Sequence, residues 1–377
     1  MTIAAAGSSA SICGRECRAF LRGMSGENGD RMTTVDDHAV DQNKLELWMD
    51  RQGLGSGHIG EVQALSGGTQ NILLIFTRDE QRYVLRRPAI NPRRGSNEII
   101  RREARVLRAL KTTAVPHPRL IAACEDEAVL GAAFYLMEPI EGFNATVGLP
   151  ALHAADPGIR RLMGFALVDG AAAIGQVDHT EIGLGDFGKT DSYLERQVER
   201  WRSQLRSYES YAGWPGPQGL PGVAQIEAYL QARWPRTFRP GLMHGDYSIG
   251  NVLYRNDGPG LAAIVDWELA TIGDPLIDLA WIVATWRGAG GPDLPVLRVE
   301  PFDGFPGADE MIAHYAARVD RDLSSIDWYV VLACYKLAIL LEGTFARACA
   351  GVAGMETGME LHETSLKLLE RARHRIG

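Results

Sequence analysis

HGDYSIGNVLY (244–254), followed ten residues later by IVDWE (264–268), is the stretch that decides how this chain is read. Asp246 and Asn251 stand five positions apart, and Asp266 follows Asn251 by fifteen. A carboxylate, an amide and a second carboxylate at the end of an apolar strand form the layout of a phosphoryl-transfer site. Such chemistry asks little of a protein beyond positioned phosphates, metal ions that neutralise developing charge, and an oriented nucleophile.

The spacing matches the H-R-D-x-x-x-x-N pattern of protein kinases, with Gly245 in place of the Arg. Asp246 is placed to accept a hydrogen bond from a substrate hydroxyl and act as the base. Asn251 offers a neutral oxygen and Asp266 a carboxylate, both hard ligands suited to Mg²⁺. Asx residues also cap ordinary turns. The HGD tripeptide, the intervening strand pair and the strand-ending Asp266 together argue against that reading. His244 reads as a residue that fixes the loop, and Asp278 as a helix cap or a brace for the HGD turn. Glu268 suits either a second metal contact or an outward-facing position.

Upstream, segments 61–65, 72–77 and 82–87 read as strands, and NEIIRREARVLRAL (97–110) as an amphipathic helix with apolar residues at three- and four-residue intervals. Further strands are expected at 128–130 and 133–139. Downstream, helices are expected at 159–177, 192–209, 223–232, 278–286, 308–319, 325–350 and 359–373, with short strands at 252–254 and 262–265. The fold class is therefore α+β and two-lobed. A small N-lobe carries an antiparallel sheet and one helix, a larger C-lobe is mostly helical, and the HGD–DWE hairpin lies at the junction. The expected divisions are 1–38, 39–141 and 142–377.

The loop Ser66-Gly67-Gly68-Thr69-Gln70-Asn71 precedes an apolar strand and reads as a phosphate cover, its glycines letting backbone amides approach an anion. A phosphate-pairing cation is expected on the next strand, where Arg86 and Arg87 stand and no lysine does. Alternation favours Arg86 pointing with Val84 into the cleft, with Glu103 as its partner. Met137-Glu138-Pro139 ends the last N-lobe strand, where an adenine would meet the backbone.

The chain has 377 residues, 46% apolar and 23% charged, with a net charge of −8. That balance argues against nucleic acid as a partner, which calls for a concentrated basic face. Five cysteines, odd in number and mostly in apolar settings, suit a reducing compartment, and a cytoplasmic location is expected. Cys13 and Cys17 have no second Cys/His cluster beside them, which argues against zinc. The longest apolar run, 328–341, carries Lys336 and reads as a buried helix rather than a membrane span. The polar, Gly/Ser-rich leader reads as disordered, with Met32 as an alternative start.

At these residues the chain resembles the aminoglycoside phosphotransferase family. HGDYSIGNVLY…IVDWELATIGDPLIDLAW is most similar to the branch that forms the N-terminal, kinase-like half of acyl-CoA dehydrogenase fusion proteins. LSGGTQN, YVLRRPA, REARVLRAL, FYLMEPIEG and GLGDFGKTDSYLERQVERW follow in the family's order over about residues 40–370. The resemblance implies a protein-kinase-like fold, ATP (or GTP) with Mg²⁺, Asp246 as base, Asn251 and Asp266 as metal ligands, and Arg86 with Glu103 as the phosphate-side ion pair. Two departures stand out. Gly175-Gln176 replaces the Leu-His that many relatives carry, and Arg86 stands where better-studied kinases have Lys.

The acceptor is expected to be a small molecule with a hydroxyl group. An aminoglycoside would call for carboxylates, and Asp274, Asp303, Asp309, Glu310 and Glu342 are the candidates. A hydroxy acid or hydroxyacyl-CoA would call for cations and an apolar slot: Arg196, Arg200, Arg202 and Lys336, with Trp201 and Trp328 as walls. A kinase fold that binds nucleotide or a partner without catalysis is the alternative. No D-F-G follows the HGD motif, where Asp266-Trp267-Glu268 stands instead, and no A-P-E is present, which counts against a protein kinase.

Overall fold

The computed structural model describes residues 40–65, 71–90, 94–295 and 297–377. The expected leader, with Cys13, Cys17 and Met32, lies outside the described residues, as do Ser66, Gly67, Gly68 and Thr69.

Helix α1 (Gln42–Arg51) is N-capped by Asp41, whose carboxylate accepts from the Lys44 amide at 3.1 Å. Strands β1 (Gly60–Ala64), β2 (Asn71–Arg78) and β3 (Gln81–Pro88) follow. Asp79 and Glu80 join β2 to β3 with φ of 48° and 63°, the positive values a two-residue hairpin turn demands. Helix α2 (Ser96–Leu110), β4 (Leu120–Cys124), the single-turn α3 (Glu127–Leu130) and β5 (Phe134–Met137) complete the small lobe. The sheet is antiparallel, in the order β1-β2-β3-β5-β4.

One reading is corrected here. Residues 128–130, expected as a strand, lie in α3, because Asp126 accepts from the Ala128 amide at 2.9 Å and caps a helical turn. The partner of β5 is instead β4, whose register with β5 shifts between Leu120 and Ala122.

The larger lobe holds α4 (Ala151–Ala155), α5 (Pro157–Gln176), α6 (Glu195–Ser207), α7 (Val223–Ala232), β6 (Gly241–Met243), β7 (Val252–Tyr254), β8 (Leu261–Ile264), β9 (Thr271–Gly273), α8 (Leu276–Thr285), α9 (Ala308–Ala316), α10 (Ile326–Cys349) and α11 (Met355–Ile376). Two short antiparallel pairs, β6–β9 and β7–β8, carry the HGD–DWE segment. Helix α10 is long and apolar enough to cross a membrane by length and composition alone. In the fold, 94% of its most apolar window is buried.

Two cores result. The smaller joins α1 to one face of the sheet through Trp48, Phe76, Leu85 and Phe134. The larger fills the helical lobe, and it also takes Ile100, Ala104 and Leu107 of α2. That helix therefore packs on both lobes, which lets Glu103 on it face the junction.

Candidate active site

The β7–β8 hairpin brings the motif together. Val252 pairs with Ile264, so Asn251 and Val265 face one another, and the Val265 amide donates to the Asn251 carbonyl at 3.0 Å. Asp266 comes next, in the left-handed region at φ 68°. That conformation is uncommon for a residue with a Cβ, though Asp tolerates it better than most. Asn251 Nδ2 donates to the Asp246 carboxylate at 3.0 Å and to the Asp246 carbonyl at 2.8 Å. Its amide nitrogen is thus committed to Asp246, and Oδ1 is the side-chain atom suited to a cation. Asp246, Asn251 and Asp266 are all buried.

The turn around Asp246 is braced from below. Asp278 accepts from the His244 amide at 2.6 Å and the Gly245 amide at 2.9 Å. Burial pushes its carboxyl up to about 6, against the pull of those two donors. His244 bonds the Val265 carbonyl through Nε2 at 2.9 Å, and its Nδ1 accepts from the Asp246 amide at 3.3 Å. Burial lowers its pKa to about 4, so the ring is neutral and spans the two halves of the motif. Gly245 has φ 86°, and a Cβ there would lie 2.5 Å from the Leu269 carbonyl oxygen.

Across the cleft, Arg86 meets three carboxylates. Nε lies 3.0 Å from Glu103 Oε2, off the N–H axis, so this contact is electrostatic rather than a directed hydrogen bond. Nη2 donates to Asp266 Oδ1 at 2.7 Å and reaches Glu268 Oε2 at 3.4 Å. Glu268 faces inward and also accepts from Asn71 Nδ2 at 3.3 Å. Burial and the two neighbouring carboxylates raise Glu103 to about 7, although Arg86 opposes the shift. Val84 and Arg86 lie on the cleft side as alternation required. Arg87 turns away and ties the strand to the Leu130 carbonyl at 3.0 Å.

Glu138 directly follows β5. Its carboxylate pairs outward with Arg119 at 2.8 Å, and its amide donates to the Arg119 carbonyl at 3.0 Å. The pairing of the sheet edge thus continues one residue past β5.

A cavity of about 370 Å³ opens beside Gly245 and Glu268. Arg196, Arg200 and Lys336 line it with Trp201, bringing together four of the residues anticipated for an anionic acceptor. Arg102, Lys189 and Tyr193 join them; no periodicity marks these three, since they converge from a helix and a loop distant in sequence. Arg202 and Trp328 do not converge. The first pairs with Glu227 at 2.9 Å, and the second donates to the Leu230 carbonyl at 3.0 Å. The carboxylates considered for an aminoglycoside are dispersed. Asp274 accepts from Tyr329, Asp303 pairs with Arg160, Glu310 with Arg161, Glu342 is held by Trp214 and His362, and Asp309 lies exposed.

Residues 61–311 match the model of the phosphotransferase enzyme family, APH. Among curated proteins, acyl-CoA dehydrogenase family member 10 of Mus musculus is 27% identical over 89% of this chain and 31% of its own length. Family member 11 of Rattus norvegicus is 27% identical over 91% of this chain and 45% of its own length. The chain thus spans less than half the length of these relatives. Among solved structures, one from Ralstonia eutropha JMP134, provisionally assigned as an aminoglycoside phosphotransferase, superposes with a TM-score of 0.70 at 27% identity, covering 89% of this chain and 98% of that one. A GDP complex of aminoglycoside 2′-phosphotransferase-IIIa has a TM-score of 0.59 at 14% identity, over 86% of this chain and 97% of that one. The ternary complex of aminoglycoside phosphotransferase APH(4)-Ia with ADP and hygromycin B has 0.54 at 16%, over 85% and 97%.

Proposed function

The chain belongs to the phosphotransferase enzyme family and has the kinase-like fold of the aminoglycoside phosphotransferases, and from that premise we propose that it transfers the γ-phosphoryl group of ATP to a hydroxyl of a small anionic molecule. The observation that carries this reading is the convergence of Asp246, Asn251 and Asp266 beside a cavity rich in cations.

Asp246 accepts the hydrogen bond of the incoming hydroxyl, orients it and takes its proton. Asn251 keeps that carboxylate in place. Arg86, held by Glu103, serves the phosphate side of the cleft. GTP is the other donor to consider, given the GDP-bound neighbour.

The residues present fit Mg²⁺. Among the described residues no cluster of three or more His, Cys, Asp or Glu side chains stands ready to hold a metal by itself. Mg²⁺ does not need one, since it takes one or two protein oxygens with phosphates and water. Three buried carboxylates surround one arginine, an excess of negative charge that a divalent cation would offset. Asn251 and Asp266 would hold it, and when bound it would stabilise charge on the transferring phosphoryl group.

For the acceptor, the charge of the cavity favours a hydroxy acid or hydroxyacyl-CoA over a polyamine. An aminoglycoside would meet Arg196, Arg200 and Lys336 with like charge. The test is Mg²⁺-dependent nucleotide turnover with a panel of hydroxy acids, hydroxyacyl-CoAs and kanamycin-type amines, run on wild type and Asp246→Ala. Acyl acceptors should stimulate turnover in the wild type only. Equal turnover in both proteins removes Asp246 as base, and stimulation by the amines alone removes the anionic acceptor.

A further inference from the structure

GLGDFGKT (183–190) lies between α5 and α6 in the larger lobe, yet two arginines of α2 hold it from the small lobe. Arg102 Nη2 donates to the Phe187 carbonyl at 3.2 Å and reaches the Ala270 carbonyl at 3.4 Å. Its guanidinium carbon lies 3.9 Å from the centroid of the Phe187 ring, which is buried in the larger core. Three residues on, Arg105 Nη2 donates to the Gly183 carbonyl at 2.8 Å, and the guanidinium also pairs with Asp186. The segment is pressed from its other side against β9. A Cβ on Gly188 would lie 2.6 Å from the Ile272 carbonyl oxygen and 2.7 Å from the Ile272 amide nitrogen. Strand β9 pairs in turn with β6, which leads directly into His244.

Ile100, Ala104 and Leu107 already hold α2 at the junction, but apolar burial is non-directional. Hydrogen bonds to fixed carbonyls are directional, so they set the rotation of the helix and its position along its axis. Each residue of a helix advances it by roughly 100° and 1.5 Å. Glu103 therefore stands on the face next to that of Arg102, and a small rotation of α2 would draw its carboxylate off Arg86, 3.0 Å away. Arg102 also lines the cavity, together with Lys189, Ala270 and Thr271. Its guanidinium is committed there to two carbonyls and a ring face, which makes it a fixed part of the wall.

We infer that Arg102 is a positioning residue for the nucleotide side of the site, although it borders the acceptor cavity. By tying α2 to the 183–190 segment and to Ala270, four residues past Asp266, it sets the helix register at which Glu103 holds Arg86 for the phosphates. Arg105 supports the same register from the next turn, through its bond to the Gly183 carbonyl; its exposed pair with Asp186 adds little by itself. This rests on the phosphotransferase reading above.

The experiment is calorimetric titration of the full chain with ADP and Mg²⁺, which needs no acceptor. Arg102→Met should weaken ADP binding about fivefold or more, and so should Glu103→Gln. The double variant should bind ADP within about twofold of Glu103→Gln alone, because both changes disable the same contact. Arg102→Lys keeps the charge but cannot lie flat on the Phe187 ring and reach both carbonyls, so it should behave as Arg102→Met does. Unchanged affinity in Arg102→Met, or losses that multiply in the double variant, overturns the role. Affinity restored to the wild-type value in Arg102→Lys overturns it as well, since charge at the cavity rather than the register of α2 would then matter. Should Arg102→Met fail to fold, Arg105→Ala decides, because it alters a partly exposed side chain. Weaker ADP binding at an unchanged melting temperature supports the proposal, and unchanged binding overturns it. A wild type that binds no ADP with Mg²⁺ defeats the phosphotransferase reading itself, a result distinct from any Arg102 effect.

Discussion

Arg86 on β3 reaches across the cleft to Asp266, with Nη2 and Oδ1 2.7 Å apart, while the same guanidinium sits 3.0 Å from Glu103 on α2. One cation thereby joins the sheet of the small lobe, the helix that packs on both lobes, and the strand end that carries the second carboxylate of the motif. All three side chains are almost completely buried. The arginine is the charge balance on which three carboxylates depend.

Removing that charge should therefore cost more than a surface ion pair would. Arg86→Met is expected to destabilise the fold by about 3 kcal/mol, the order found when one partner of a buried pair is deleted. Adding Glu103→Gln should return part of the loss, since one uncompensated carboxylate disappears. Urea denaturation of wild type, both single variants and the double variant measures the coupling. Strict additivity would show that Arg86 and Glu103 do not depend on each other.

Asp246→Asn is nearly isosteric and keeps an oxygen for the Asn251 amide at the 3.0 Å contact. Acceptor-dependent turnover should fall by about 10²–10⁴-fold, the range for losing a positioned general base. Nucleotide affinity, read by fluorescence titration, should stay within a few fold. A parallel fall in affinity would place Asp246 in nucleotide binding instead.

Gly245 admits no side chain. At φ 86° a Cβ is strained, and this one would also sit 2.5 Å from the Leu269 carbonyl oxygen, a backbone atom with no room to yield. Gly245→Ala should destabilise by about 2 kcal/mol or more and lower turnover, as the turn bearing Asp246 shifts. Thermal unfolding with turnover measured in parallel checks both. An unchanged melting temperature would mean that the turn relaxes freely.

His244 makes stability depend on pH. The unfolded imidazole titrates near 6.5 and the folded one near 4. Its contribution is therefore complete above pH 6.5 and is lost as pH falls towards 4, about 2 kcal/mol between pH 7 and pH 5. Asp278 acts in the opposite sense. Its carboxyl rises from 3.8 unfolded to about 6 folded, so its contribution is present below 3.8 and is lost as pH climbs to 6. The two partly cancel in the wild type. The His244 share appears as the difference in slope between wild type and His244→Asn when unfolding free energy is followed from pH 7 to pH 5. Identical slopes would show that the folded ring titrates normally.

Much of this site was readable in one dimension because its spacing is local. Five residues from Asp246 to Asn251 make a single turn, and a hairpin of fixed register carries the chain from Asn251 to Asp266. The Arg86 side was readable for a similar reason, since strand alternation assigns faces two residues at a time. Short elements were less legible. Residues 128–130 were expected as a strand from their apolar character, and the Asp126 cap made them helical. Glu268 was ambiguous because it lies four residues past the end of β8, in a helical turn where strand alternation no longer applies.

Periodicity and motif order were sufficient for the two-lobed α+β plan, the HGD–DWE hairpin and the identity of its three oxygen-bearing side chains. Those properties depend on neighbours a few residues away, and local geometry constrains them tightly. Which charges share a cavity is a different matter. Gly245, Arg200 and Lys336 come from separate elements, and the acidic residues suited to a polyamine are equally spread along the chain. Only the packing of α6 and α10 around the HGD turn decides that cations gather there and carboxylates pair elsewhere, because burial and charge environment are set by segments far apart in the chain.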